Sequence, residues 1–77
     1  MNKLRRKKLE NIMSRIEELQ ALLEELRDEE QEAMDNVPES LQETERYEAM
    51  EQAVDGMDYA LDGLQEAMDN IEEVIVA

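Results

Sequence analysis

Carboxylates are the only reactive side chains this chain holds in number. Twenty-two Asp and Glu stand among 77 residues, with no His and no Cys. Without imidazole and thiolate, the chain lacks the commonest general base, the commonest transition-metal ligand, a thiolate nucleophile and any zinc–sulfur or disulfide framework. What remains is chemistry by carboxylates alone. Asp55-Gly56-Met57-Asp58 and Asp62-Gly63 contain fragments of a calcium loop. The twelve-residue ligand order with its closing Glu is missing, however, and Met57 and Leu61 fall on an apolar helical seam. A catalytic pair of carboxylates needs a pocket to perturb it, and a thin chain without Phe or Trp has little from which to build one. The expectation is therefore a protein that is not an enzyme, with no catalytic residue, cofactor or metal.

The charges are placed unevenly, and their placement points to binding. Residues 1–15 hold six basic groups (Lys3, Arg5, Arg6, Lys7, Lys8, Arg15) against Glu10, a balance of +5. The rest holds Arg27 and Arg46 against 21 acids, a balance of −19, and the whole chain carries −14. So acidic a body repels nucleic acid, and a direct DNA- or RNA-binding role would rest on the basic opening alone. The second half carries like-charge pairs four residues apart, including Asp58–Asp62 and Asp62–Glu66. Each such pair costs an isolated helix a few tenths of a kcal/mol. Asp55, Asp58, Asp62 and Glu66 thus form an acidic face. Either it is simply solvated, or it meets a basic partner by imitating a row of phosphates. The basic segment Lys3, Arg5, Arg6, Lys7 and Lys8 is expected beside the last carbonyls and carboxylates of the second helix, where cations complement the helix dipole. An anionic lipid or nucleic acid is the alternative ligand for it.

A third constellation is made of small residues. Ala49, Ala53, Gly56, Ala60, Gly63 and Ala67 follow one another at gaps of four and three. Two interior helical glycines cost roughly 1 kcal/mol each relative to Ala. A stripe that tolerates them is expected to let another helix backbone come close.

The elements that must carry these groups follow from apolar spacing. Leu9, Ile12, Ile16, Leu19, Leu23, Leu26, Ala33 and Val37 recur at three and four, a heptad seam with a at 9 and d at 12, interrupted only by Glu30. Tyr47, Met50, Val54, Met57, Leu61, Leu64, Met68, Ile71 and Ile75 repeat the pattern. Between them Pro38 removes a backbone donor and bars Val37 from the α region. Ser40 and Thr44 are both suitable N-caps, and the main start is expected near Thr44. The reading is all-α and undivided: a helix over about 3–35, a turn over 36–43 and a helix over about 44–76. Equal helices and a short connection predict an antiparallel two-helix hairpin, or coiled coil. Pairing a with a (9 with 75, 16 with 68) and d with d (12 with 71, 19 with 64) satisfies every layer. A helix with a large seam and a small seam contacts more than one neighbour, so either two hairpins dimerise into a four-helix bundle, the expected outcome, or the small seam is a groove for a partner's helix. Met50, Met57 and Met68 give the second seam adaptable packing, and Tyr59 falls away from both seams.

The turn and the entry to the second helix read Asn36-Val37-Pro38-Glu39-Ser40-Leu41-Gln42-Glu43-Thr44-Glu45-Arg46-Tyr47-Glu48. This stretch resembles a segment of small uncharacterised acidic helical-hairpin proteins of Gram-positive bacteria and their phages or mobile elements. The opening Lys3-Leu4-Arg5-Arg6-Lys7-Lys8 is similar as well. The resemblance covers about a quarter of the chain, and it implies a hairpin of bacterial or phage origin without implying an activity.

Two functions remain open at this level. One is a non-catalytic, self-associating or protein-binding hairpin, most simply a homodimer. The other is an acidic, nucleic-acid-mimicking inhibitor of a basic host nucleic-acid enzyme, of the anti-CRISPR type. No apolar run approaches the roughly 18–20 residues of a membrane span, and the opening lacks the pattern of a secretory signal. A cytoplasmic protein with no membrane contact is expected.

Overall fold

The structure is a computed structural model describing residues 1–77. Its first helix, α1, spans Lys3–Asp35. Asn2 caps it, its side-chain oxygen accepting from the Arg5 amide at 2.8 Å. The helix stops where Pro38 requires. Asn36 is its C-cap, its amide donating to Glu32 at 3.1 Å, and the Val37 amide donates to Met34 at 3.1 Å. A single 3₁₀ turn, Glu39–Leu41, follows, closed by the Leu41 amide on the Pro38 carbonyl at 2.8 Å. The second helix, α2, spans Glu45–Val76 with Thr44 as N-cap. Thr44 does two jobs there: its hydroxyl donates to the Leu41 carbonyl at 2.8 Å and accepts from the Tyr47 amide at 3.3 Å. This ties the turn to the helix start and satisfies one of the amides a helix N-terminus leaves free.

The two helices form an antiparallel hairpin 59 Å long and 15 by 13 Å across. Partners across the hairpin fall in number on α2 as they rise on α1: Arg6 with Ala77, Gln20 with Gln65, Arg27 with Asp58. The residue numbers of the last two pairs add to 85. That agrees with the expected a layers, whose members add to 84.

The seam itself differs from expectation on α1. On α2 it is the a and d set, from Tyr47 to Ile75, with Val54 and Met68 buried and the others half-buried. On α1 the half-buried residues are Arg6, Leu9, Met13, Ile16, Gln20, Leu23, Arg27, Glu30, Gln31 and Met34, with Val37 just past its end; all but Gln31 are a or e positions. The d residues Ile12, Leu19 and Leu26 stay 46–57% exposed, and Ala33 is exposed too. The α1 members of the expected d layers (12 with 71, 19 with 64, and so on) thus lie at the edge of the seam and not inside it. Met13, Gln20, Arg27 and Met34 occupy those heights instead. Rolling α1 toward its e side closes Arg27 onto Asp58 and Gln20 onto Gln65, and long stems such as those of Arg and Gln cover apolar seam while their heads stay wet. The helix can roll because its apolar residues, at a and d with Leu22 on one flank and Met13 and Met34 on the other, cover a wider arc than one neighbour occupies.

A candidate interaction face

That roll sorts the hairpin into two unlike sides. On one side lie the polar bridges. Arg27 reaches Asp58 at 2.8 Å through Nε and 3.5 Å through Nη2, and also contacts Asp28 and Gln31. Gln20 donates to Gln65 at 3.0 Å, while Gln31 and Gln65 donate along their own helices to Asp35 and Asp69. The pKa of Arg27 is raised above its ordinary value, chiefly by its hydrogen bond to Asp58, with desolvation opposing. This ion pair fastens α1 to α2 at mid-length. Asp58 is accordingly half-buried and engaged, so the acidic set is not uniform: Asp55, Asp62 and Glu66 are exposed and make no ion pair.

The opposite side is largely apolar, with Arg5, Lys8, Arg15 and Arg46 as its exposed cations. Successive residues turn by about 100° along a helix, which places the d and g positions of α1 and the c and g positions of α2 on this one side of an antiparallel pair. α1 contributes a ridge of large side chains: Ile12 (46% exposed), Leu19 (57%), Leu22 (58%) and Leu26 (55%). α2 contributes the small stripe beside it. Ala49, Ala53, Gly56, Ala60 and Gly63 are exposed there, and only Ala67 is half-buried. A Cβ built on Gly56 or Gly63 would meet nothing within 4 Å, so the glycines are not required by packing inside the hairpin. Carboxylates avoid this side. Of the 22 acids, only Glu29 lies at these positions, and 22 acids scattered blindly would place several.

At the turn the apolar side opens into a cleft of about 470 Å³ lined by Ala33, Val37, Pro38, Leu41, Tyr47 and Met50, with Arg46 its only charged wall residue. Leu41 there is 50% exposed. Its walls carry no carboxylate that a pocket could perturb, and no three Asp or Glu converge closely enough to hold a metal ion. No helix is long and apolar enough to cross a membrane.

The basic segment reaches the end of α2 through one residue. Arg6 donates to the Ala77 carbonyl at 3.3 Å. Lys3, Arg5, Lys7 and Lys8 are exposed and make no ion pair, so Glu72 and Glu73 are not clamped by them. Tyr59 is 77% exposed, away from the seam.

Sequence reasoning located the small stripe but missed the ridge beside it, because it assigned Ile12, Leu19 and Leu26 to the hairpin core. Leu22, an unexplained Leu off the a and d pattern, was the available signal. No family model, curated protein or solved structure matches this chain.

Proposed function

We propose that this chain is a non-catalytic helical interaction module of bacterial or phage origin, acting in the cytoplasm by pairing with itself. One observation carries the reading: the hairpin leaves a carboxylate-poor apolar side uncovered while burying only Val54 and Met68 among 77 residues. Hairpins of this size rarely supply enough core to stand alone, and oligomerisation is the usual remedy when no disulfide or metal is present. Leucines left in water on one continuous side are the surplus that such pairing would bury. Sedimentation velocity on the full chain tests this. A dimer at micromolar concentration is the expected result, and a stable, well-folded 9 kDa monomer overturns it.

A second reading rests on the exposed carboxylates Asp55, Asp62 and Glu66 of α2, which no basic side chain of the chain engages. In it, the hairpin occupies the nucleic-acid site of a basic host enzyme. Its signature is competition: DNA or RNA displaces the chain from that partner, and the binding weakens steeply with salt.

A further inference from the structure

The apolar side is self-complementary in a way that selects one arrangement of two copies. This inference rests on the self-pairing reading above and adds to it the face and the orientation. Facing residues of α1 and α2 have numbers adding to 84 or 85, as the Gln20–Gln65 and Arg27–Asp58 contacts set. At that register Leu22 stands at the height of Gly63, and Leu19 and Leu26 flank the heights of Ala60 to Ala67. The ridge and the groove are thus level with each other on one side of the same hairpin.

Two symmetric ways of covering this side exist. A two-fold axis parallel to the helices keeps every height and sets α1 of one copy across from α2 of the other, so leucines enter the glycine groove twice over. A two-fold axis across the helices sets α1 on α1 and α2 on α2. Leucine then meets leucine while the two grooves face each other empty, and a void between backbones forfeits contacts on both its walls. Large against small is the alternation that fills space. We propose that two copies associate through this side about an axis parallel to the helices, each inserting Leu19, Leu22 and Leu26 into the Ala60–Gly63 groove of the other.

Charge and the matching of ridge to stripe agree with a second copy as the occupant. Two chains of −14 each repel, so a shared surface between them has to exclude carboxylates, and this side does so at every position but Glu29 while presenting the cations Arg5, Lys8, Arg15 and Arg46. A basic partner would be served better by the acidic side. At about 1.5 Å per residue the ridge from Ile12 to Leu26 runs about 21 Å and the stripe from Ala49 to Ala67 about 27 Å, so ridge and stripe are of matching length.

The absence of Cys makes the arrangement directly readable. Leu22→Cys and Gly63→Cys chains are prepared separately; both positions are exposed, and the new Cβ at Gly63 meets open space. Oxidised together, they should form a disulfide-linked heterodimer in large excess over either homodimer. Oxidised alone, each should stay mostly uncrosslinked. Leu22→Cys linking to itself as readily as in the mixture overturns the proposal, since leucine then faces leucine. A dimer of the unaltered chain with no crosslink in any combination also overturns it while leaving self-pairing standing. A monomeric unaltered chain removes both. Leu22→Glu, on the exposed ridge, provides a second measurement: helix content is kept while the dimer dissociation constant rises at least tenfold, and unchanged association overturns the assignment of the face.

Discussion

Replacing both Gly56 and Gly63 with Ala separates what the glycines cost the hairpin from what they contribute to assembly. Within one chain the added methyl groups enter open space, with no heavy atom within 4 Å of either. Nothing therefore opposes the gain in helix propensity, about 1 kcal/mol at each site and about 2 kcal/mol together. For a domain of this size each kcal/mol moves the melting temperature by roughly 4–8 °C, so the isolated hairpin should melt roughly 8–16 °C higher. Assembly should respond in the opposite sense. The methyl group added at Gly63 narrows the groove proposed for the leucine ridge, with Gly56 just beyond it, and overpacking of that kind costs roughly 1–3 kcal/mol. At 1.4 kcal/mol per decade, the dimer dissociation constant should rise about tenfold. Far-UV circular dichroism melts from low micromolar to high micromolar protein, paired with sedimentation, read both effects at once. The variant should be the more stable chain when dilute and show a flatter dependence of melting on concentration. If stability rises while the dissociation constant is unchanged or lower, the glycines lie outside the interface and the reasoning fails.

Other outcomes follow from the geometry. In the dilute regime Leu23→Ala, on the half-buried seam, should destabilise by roughly 1–2 kcal/mol, a partial version of a core Leu→Ala loss. Leu26→Ala, 55% exposed, should be near neutral there and weaken only the dimer; equal losses in thermal melts would restore the a and d seam on α1. Arg27→Met and Asp58→Asn should each lower the melting temperature at low salt, with the deficit shrinking at high salt as the pair is screened; no change at low salt would mean the pair does not hold the helices. Arg6→Gln should lower the melting temperature slightly through loss of its bond to Ala77, whereas changing Lys3, Arg5, Lys7 and Lys8 together to Gln should not; the reverse result would show that the free cations act on α2 at a distance. Asp55→Lys, Asp62→Lys and Glu66→Lys combined should leave melting and dimerisation intact while abolishing capture of any basic host protein that nucleic acid displaces; retained binding would end the mimicry reading. Asp58 is kept out of that set because reversing it would break the hairpin's own ion pair.

Much of this molecule is local, and local features are legible in a sequence. Helices of about thirty residues follow from a three-and-four apolar repeat, their end from Pro38, and their restart from a threonine able to cap. An antiparallel hairpin follows because a short turn between equal helices permits no other packing. The heights of the two helices were legible too, since one register satisfies the a layers, and the small stripe showed itself through residue size alone. What the sequence left open was the rotation of α1 about its own axis. Its apolar residues cover an arc wide enough for two neighbours, so the spacing of Leu9, Ile12 and Ile16 is equally good for either flank. Tertiary structure made the choice by rolling α1 toward Met13, Gln20, Arg27 and Met34, where Arg27 meets Asp58 and Gln20 meets Gln65. These are contacts between residues 31 and 45 positions apart, invisible to any local repeat. The same roll turned Ile12, Leu19, Leu22 and Leu26 outward beside the glycines. Periodicity states which residues are apolar; only the placement of the second helix decides which of them it covers and which it leaves exposed.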